Sequence, residues 1–255
     1  SLTIYPSYLN AETKHLGMVG VMNIALLTAA GTGSRMNNDV PKQFLHVKNK
    51  PLIVHTLEQF QKHPSIDKII IVTLPAWVEV IKAYSKEFKI TKLNWIVEGG
   101  NTGQESICNG LQALKDSGVS EDNIVMIHDG NRCNISPELI SNSLSVYAEY
   151  GSAVAAIPCV EAVFESHDGG KSSTSTIPRE TLYRTQTPHT YSLGKLLWAH
   201  DIACEKGITD TAASCSLMEA LGETVYFSKG LETNLKITTQ EDLLIFKALR
   251  GAKSK

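Results

Sequence analysis

Short apolar runs alternate with stretches of helical periodicity between residues 23 and 157. Residues 23–30 (NIALLTAA) and 68–74 (KIIIVTL) are aliphatic runs that end at glycine or proline, as buried strands often do. Residues 52–63 and 78–88 instead repeat apolar side chains at helical spacing, which predicts helices. The same criteria predict further strands over residues 95–97, 123–127 and 152–157, and further helices over residues 105–115 and 137–150.

This order of elements predicts an α/β fold in which a mainly parallel sheet carries helices on both faces. Helical periodicity returns over residues 193–205, 211–221 and 240–249, and short strands are predicted over residues 225–228 and 235–238. Residues 1–21 lack a regular period and are interpreted as an N-terminal extension with no assigned function, and they do not have the pattern of a signal peptide. Residues 22–255 are predicted to form one domain.

Residues 159–191 interrupt the strand–helix rhythm. They contain alternating apolar and polar residues, a Gly169-Gly170 turn and a stretch rich in Ser and Thr, which together predict a β-arm that leaves the main sheet. A lone hairpin is marginally stable in water, and the apolar side chains of Val160, Val163 and Phe164 need burial. The arm therefore predicts a homodimer in which a second subunit covers it.

Composition narrows the functional classes. The 255 residues are 42% hydrophobic and 20% charged, with a formal net charge of −2, which is typical of a globular protein and disfavours nucleic-acid binding. No apolar run approaches the roughly 20 residues that span a bilayer, so no membrane segment is expected. Five scattered cysteines without a C-x-x-C pair predict a reducing, cytoplasmic environment and neither a disulfide framework nor a zinc site.

A glycine loop follows the first strand. Its members are Ala29, Ala30, Gly31, Thr32 and Gly33. Glycines at such a turn let backbone N–H groups approach phosphate oxygens, and Arg35 and Lys42 add positive charge nearby. The dinucleotide fingerprint G-x-G-x-x-G does not fit, because Met36 occupies its last glycine position. The loop therefore predicts a site for a nucleoside triphosphate.

The loop and Pro41-Lys42-Gln43 resemble the nucleotide loop of the cytidylyltransferases that act on polyol phosphates. Further segments resemble that family in the same order, and they are residues 98–106, His128-Asp129 with Arg132, residues 186–188, 209–210 and 234–238. The resemblance extends over about residues 23–249. It implies a Rossmann-like α/β domain with a protruding arm that helps to form a homodimer.

The resemblance also implies a reaction in which CTP and a polyol phosphate give a CDP-polyol and pyrophosphate. By the same resemblance, Arg35 and Lys42 would stabilise the charge that builds on the α-phosphoryl oxygens. Asp129 would hold Mg²⁺ or a similar divalent cation at the end of a strand, with capping of the next turn as the alternative. Arg132 would contact phosphate, or would simply pair with Asp129.

Four residues resemble the segment that reads cytosine and ribose, and they are Gly99, Gly100, Asn101 and Ser106. Asn101 and Thr102 could also cap the following helix. Arg179 and Lys236 resemble the pair that positions the phosphate of the acceptor, with Arg179 reaching the site of the other subunit from the arm. Surface exposure is the alternative, more so for Arg179 than for Lys236.

The sequence departs from the family pattern at three positions. Gly103 replaces an arginine, Cys133 replaces a proline, and Ala162 replaces a threonine of the arm that commonly orients the acceptor. These changes leave the acceptor open between 2-C-methyl-D-erythritol 4-phosphate and D-ribitol 5-phosphate. Two other functions stay as alternatives: a sugar-phosphate nucleotidyltransferase that uses another nucleotide, and a catalytically decayed homodimeric binding protein.

Overall fold

The computed structural model describes residues 4–5, 20–32 and 39–252. The strands are β1 (Ile4–Tyr5), β2 (Asn23–Ala29), β3 (His46–Val47), β4 (Lys50–Pro51), β5 (Lys68–Thr73), β6 (Leu93–Glu98), β7 (Ile124–Asp129), β8 (Ala153–Pro158), β9 (Val163–Glu165), β10 (Ser175–Ile177), β11 (Tyr183–Ser192) and β12 (Phe227–Lys229). The α-helices are α1 (Leu52–Lys62), α2 (Val78–Glu87), α3 (Gly103–Asp116), α4 (Pro137–Tyr150), α5 (Leu193–Lys206), α6 (Ser214–Ala220) and α7 (Gln240–Ala252).

Eight of these strands form one sheet in the order β1-β6-β5-β2-β7-β11-β8-β12. The pairs β6–β5, β5–β2, β2–β7 and β8–β12 are parallel, whereas β11 runs antiparallel to both β7 and β8. The prediction of a mainly parallel α/β sheet is therefore confirmed. Chain order reverses at β2, and ligands bind beside such a switch point in open α/β sheets.

Alternating side chains of the central strands supply two cores. In β2, Ile24 and Leu26 face the core that α3, α5 and α6 cover, while Ala25 and Leu27 face the core under α1, α2 and α4. Strands that are buried on both faces are apolar at every position, which is why the sequence shows continuous aliphatic runs there. Helices thus cover both faces of the sheet, as predicted.

Helix boundaries follow the local capping signals. The side chain of Ser136 accepts a hydrogen bond from the Leu139 N–H at 3.4 Å, Pro137 is the first residue of α4, and Gly151 ends it with a φ of 78°. In α5, the side chain of Ser192 likewise accepts a hydrogen bond from the Lys195 N–H, and Gly207 ends the helix with a φ of 68°. These polar and glycine residues satisfy backbone groups at helix ends, so the predicted limits of both helices were accurate to within one residue.

The arm is a hairpin of β9 and β10, in which Val163 pairs with Ile177. This confirms the predicted hairpin, but the predicted limits of the arm, 159–191, were wrong at the C-terminal end. Tyr183–Ser192 is β11, a ten-residue strand in the middle of the main sheet. Its buried side chains are largely polar, and Gln186, Thr187, His189 and Thr190 form hydrogen bonds, such as that between the Thr190 and Ser143 hydroxyls at 2.8 Å. Hydropathy alone does not reveal such a strand.

The prediction of a strand over residues 235–238 was also wrong. This segment is extended without joining a ladder, and it is held by two hydrogen bonds between Ile237 and Asn131, at 2.8 and 3.0 Å. Ile237 belongs to a small third core with Val47, Leu52, Cys133, Leu243 and Phe246. That core fixes the segment against the end of β7.

Candidate active site

A cleft of about 790 Å³ opens at the carboxyl ends of β2, β7 and their neighbours. Most of the residues proposed from the sequence line it, namely Ala29, Ala30, Gly31, Thr32, Lys42, Gly100, Asn101, Ser106, Asp129, Arg132 and Lys236. Gly33 and Arg35 lie in residues 33–38, outside the described residues. The structure therefore brings to one place the glycine loop, the charged residues and residues 99–106, which we call the base-reading segment after the family segment that they resemble.

Gln43 fixes the start of the glycine loop. Its buried side-chain amide donates hydrogen bonds to the carbonyl oxygens of Ala29, at 2.7 Å, and Gly31, at 3.0 Å. Gln43 lies in a short 3₁₀ helix, Lys42–Phe44, that Pro41 precedes. Lys42 is in the same turn and lines the cleft, so one turn both holds the loop and places a cation beside it.

The base-reading segment approaches the glycine loop closely at Gly99. A Cβ atom at Gly99 would lie 2.4 Å from the Cβ of Ala30, so only glycine fits there. Ser106 accepts a hydrogen bond from the Gly100 N–H at 3.0 Å. Thr102 caps α3 by accepting the Glu105 N–H at 3.1 Å, as the capping interpretation expected. The segment is thus held by hydrogen bonds at both Gly100 and Thr102 and lies against the glycine loop.

Asp129 lies between two cations at the end of β7. Its Oδ2 is 3.0 Å from Nε of Arg132 and 3.5 Å from Nζ of Lys236. Burial alone would raise the pKa of Asp129, but Lys236 and Arg132 lower it to about 2. The carboxylate is therefore ionised at neutral pH, and the cluster carries a net positive charge suited to a phosphate.

His128 supports this cluster through hydrogen bonds to the Thr187 hydroxyl and the Arg132 carbonyl. The Thr187 hydroxyl accepts a hydrogen bond from the Asp129 N–H at 3.0 Å. The same hydroxyl donates its own hydrogen to Nδ1 of His128 at 3.0 Å. Nε2 consequently carries the ring hydrogen and donates to the carbonyl of Arg132 at 3.0 Å. Burial lowers the pKa of His128 to about 4. His128 is therefore neutral at pH 7 and serves a structural role.

Gln186 and Asn234 hold the segment that carries Lys236. Gln186 exchanges hydrogen bonds with Leu231 at 2.8 and 3.2 Å and accepts one from the Asn234 amide at 3.1 Å. The carbonyl of Asn234 in turn accepts a hydrogen bond from Arg132 at 2.7 Å. These bonds set the positions of Lys236 and Arg132 around Asp129. The sequence analysis matched residues 186–188 and 234–238 to the family without assigning them this positioning role.

Arg179 does not join the cleft within one chain. It begins a short 3₁₀ helix on the arm, where its Nη1 donates to the Val160 carbonyl at 2.9 Å and its side chain is 54% exposed. Arg179 is missing from the described residues that line the cleft. Of the predicted pair of acceptor-binding residues, a single chain therefore brings only Lys236 to the site.

The structure accounts for two of the three departures from the family pattern, Cys133 and Gly103. Cys133 is fully buried in the third core, and burial raises the pKa of its thiol to about 12, so it fills space and does no chemistry. Gly103 lines the cleft and leaves it open where an arginine would project. Ala162 lies on the exposed surface of the arm, where the structure provides no reason for the substitution.

The donor set suits a Mg²⁺ that shares a nucleotide. Within residues 20–32 and 39–252, no three His, Cys, Asp or Glu side chains are grouped as metal ligands. Mg²⁺ commonly uses one or two carboxylates together with substrate phosphates. Among the described residues, the ion pairs of Asp129 with Arg132 and Lys236 both use Oδ2. The other carboxylate oxygen, Oδ1, can therefore serve as a metal ligand. Asp129 thus fits Mg²⁺ when CTP supplies further oxygens.

Comparisons with known proteins agree with this geometry. The IspD family model, 2-C-methyl-D-erythritol 4-phosphate cytidylyltransferase, matches residues 23–250. A ribitol-5-phosphate cytidylyltransferase of Lacticaseibacillus paracasei is 40% identical over 229 residues, which are 89% of this chain and 97% of the relative. A 2-C-methyl-D-erythritol 4-phosphate cytidylyltransferase of Clostridium botulinum is 35% identical over 226 residues, which are 88% and 95% of the two chains.

Solved structures show the same fold. A 4-diphosphocytidyl-2C-methyl-D-erythritol synthase superimposes with a TM-score of 0.77 at 25% identity, over 91% of this chain and all of the other. A 2-C-methyl-D-erythritol 4-phosphate cytidylyltransferase of Thermus thermophilus superimposes with a TM-score of 0.71 at 27% identity, over 88% and 97%. Among the described helices, none is long and apolar enough to cross a membrane.

Proposed function

Because the chain belongs to the 2-C-methyl-D-erythritol 4-phosphate cytidylyltransferase family, it transfers CMP from CTP to a polyol phosphate, and we propose that this acceptor is D-ribitol 5-phosphate. The observation that carries the proposal is the similarity to relatives named for that acceptor, which are 37–40% identical. Relatives named for 2-C-methyl-D-erythritol 4-phosphate are 35–37% identical. 2-C-Methyl-D-erythritol 4-phosphate is the alternative acceptor, because the matching family model is named for it.

The transfer needs no covalent protein intermediate. An oxygen of the acceptor phosphate attacks the α-phosphorus of CTP, a new P–O bond forms, and the bond to the bridging oxygen breaks, so pyrophosphate leaves. Negative charge rises on the α-phosphoryl oxygens during this exchange, and fixed cations in the cleft stabilise it. Lys42, beside the glycine loop, would serve that role, and Lys236, beside Asp129, would hold the acceptor phosphate.

Magnesium is part of the proposal. Asp129 is ionised, and its Oδ1 is available beside the glycine loop, so it would hold the cation. The bound cation would neutralise phosphate charge and orient the triphosphate. Removal of divalent cations with excess EDTA is expected to abolish pyrophosphate release, and added Mg²⁺ should restore it. Full turnover in EDTA would refute this part.

A homodimer is proposed on the arm. Val160 is 64% and Phe164 is 61% exposed, and the exposed rings of Tyr183 and Phe227 stack at 5.2 Å on strands of the main sheet. Large exposed apolar side chains are the kind of surface that a protein partner covers. A second subunit that covers them would also carry Arg179 towards the cleft of its partner.

A cytoplasmic location is proposed from the cysteines. All five thiols are free, and Cys133 and Cys215 are buried in apolar cores. Free thiols are typical of proteins in reducing compartments. Cell fractionation with an antibody against the chain would test this, and recovery outside the cytoplasm would contradict it.

Pyrophosphate release from CTP tests the acceptor. The purified protein should turn over with D-ribitol 5-phosphate at a higher kcat/KM than with 2-C-methyl-D-erythritol 4-phosphate. D-Ribitol without its phosphate and UTP in place of CTP are the matched controls, and both should give little turnover. A higher kcat/KM with 2-C-methyl-D-erythritol 4-phosphate would reverse the assignment. No turnover with either acceptor would refute the proposed function.

A further inference from the structure

Gln104 joins two walls of the cleft that are far apart in the sequence. Its Oε1 accepts hydrogen bonds from the backbone N–H and the hydroxyl of Thr211, both at 2.9 Å. Its Nε2 donates to the carbonyl of Ile208 at 2.7 Å. Both the oxygen and the nitrogen of its carboxamide therefore bond to residues 208–211. We call residues 208–214, which connect α5 to the start of α6, the α5–α6 wall.

The α5–α6 wall forms part of the cleft lining. Residues 211–214 line it, and so do the base-reading segment and residues 185–187 of β11. The glycine loop follows β2 and the base-reading segment follows β6, which lies to one side of β2, whereas β7 and β11 lie to the other. A nucleotide that occupies the first two segments would leave the β7–β11 side of the cleft, which residues 185–187 and the α5–α6 wall also line, for the acceptor.

One polar atom of this wall and one of α5 lack hydrogen-bond partners among the described residues. The Oγ of Ser214 and the Nε2 of His200 are buried and have no hydrogen bond within the described part of the chain, and both residues line the cleft. Buried polar groups are costly unless they find a partner. The hydroxyl groups of a polyol both donate and accept hydrogen bonds, so they can satisfy a hydroxyl and an imidazole nitrogen alike.

We infer that Gln104 is a positioning residue for the polyol acceptor. It holds the α5–α6 wall against the base-reading segment, and the fixed wall sets the fit of the polyol chain beside bound CTP. Because its carboxamide is occupied by Ile208 and Thr211, Gln104 acts through the wall and not by direct contact with the reacting atoms. The inference rests on the proposed transfer to a polyol phosphate and adds a determinant of acceptor binding.

Steady-state kinetics on Gln104→Ala test the inference. The substitution removes all three hydrogen bonds to the wall, so the KM for D-ribitol 5-phosphate should rise about 10-fold, while the KM for CTP and kcat change less than about 2-fold. Thr211→Val removes one of the three bonds and should give a smaller rise. Gln112→Ala is the control, because Gln112 is on the same helix, bonds to Asp116 at 2.8 Å and does not line the cleft.

Several outcomes would overturn the inference. An unchanged acceptor KM in Gln104→Ala, or an equal rise in the KM for CTP, would show that Gln104 only stabilises the helix end. Should Gln104→Ala fail to fold, as judged by thermal unfolding, Thr211→Val decides, and an unchanged acceptor KM in that variant counts against the inference. Wild-type protein without turnover would instead refute the proposed function, so the two failures are distinguishable.

Discussion

Asp129 remains charged in a mostly buried position because two cations flank it. Its carboxylate is 3.0 Å from Arg132 and 3.5 Å from Lys236, and its pKa is lowered to about 2. Arg132 is itself fixed by the carbonyl of Asn234. The negative charge of Asp129 is therefore maintained by Lys236 and Arg132.

Lys42→Ala should lower kcat by about 100-fold or more, because a fixed cation beside the α-phosphate stabilises the transition state. The fold should be retained, since the Gln43 hydrogen bonds to Ala29 and Gly31 remain in this variant. Pyrophosphate release and thermal unfolding measure the two effects. Lys115→Ala, at an exposed position on α3, is the matched control. Near-normal turnover in a folded Lys42→Ala protein would contradict the role of this lysine.

Asp129→Asn should lower turnover by more than about 100-fold, because it removes the proposed Mg²⁺ ligand. The amide also leaves Arg132 and Lys236 without their anionic partner, so the free energy of unfolding should fall by about 1–3 kcal/mol. Activity at a series of Mg²⁺ concentrations and denaturant unfolding test both effects. An unaltered Mg²⁺ dependence would show that another group holds the cation.

At the scale of the elements, β11 and the hairpin of β9 and β10 differ in position although they are neighbours in sequence: β11 lies within the main sheet, and the hairpin lies outside it. β11 is antiparallel in a mainly parallel sheet, and its register shifts between Thr185 and His189. This irregular stretch brings Gln186 and Thr187 to the cleft, where they bond to the Lys236 segment and to Asp129. The hairpin of β9 and β10 instead leaves the sheet and exposes Phe164.

Arg179→Ala tests whether the arm serves the site of a second subunit. If Arg179 binds the acceptor phosphate across a homodimer, the KM for the acceptor should rise or kcat should fall, by about 2–5 kcal/mol in kcat/KM for a desolvated pair. The KM for CTP should hardly change. Arg184→Ala is a suitable control, because Arg184 pairs with Glu232 on the exposed surface. Unaltered acceptor kinetics would show that Arg179 is a surface charge.

At the scale of the whole molecule, buried neutral histidines make stability depend on pH. Burial lowers the pKa of His128 and His189 to about 4, from 6.5 in an unfolded chain. Between pH 6.5 and 4 the unfolded chain therefore binds more protons than the folded one, so stability falls as the pH decreases. His55, His63 and His200, whose pKa values burial also lowers, act in the same direction.

The free energy of unfolding should thus decrease between pH 6.5 and 5 by roughly 2 kcal/mol for each of His128 and His189. Denaturant unfolding at several pH values measures this slope. His189→Gln should flatten it, because glutamine keeps a donor for the Gln186 carbonyl but does not titrate. His167→Gln is the control variant, because His167 is exposed on the arm. Equal stability at pH 7 and 5 would contradict the prediction.

The sequence by itself determined the elements whose signals are local. Aliphatic runs predicted β2 and β5, capping residues predicted the ends of α4, and the Gly169-Gly170 turn predicted the hairpin. The glycine loop with Lys42 and the resemblance to the polyol-phosphate cytidylyltransferases were likewise readable in order along the chain. Hydrophobic burial and backbone capping act between residues close in sequence, so their pattern survives without a structure.

Only the tertiary structure decided the pairings that make the cleft. β11 carries polar side chains whose burial depends on partners from other elements, so its hydropathy resembled that of an exposed arm. The contacts of Lys236 with Asp129 and of Gln104 with Thr211 join segments that the sheet order and helix packing bring together. A hydrogen bond between residues 107 positions apart leaves no periodic trace in the sequence, because its geometry exists only after the fold has formed.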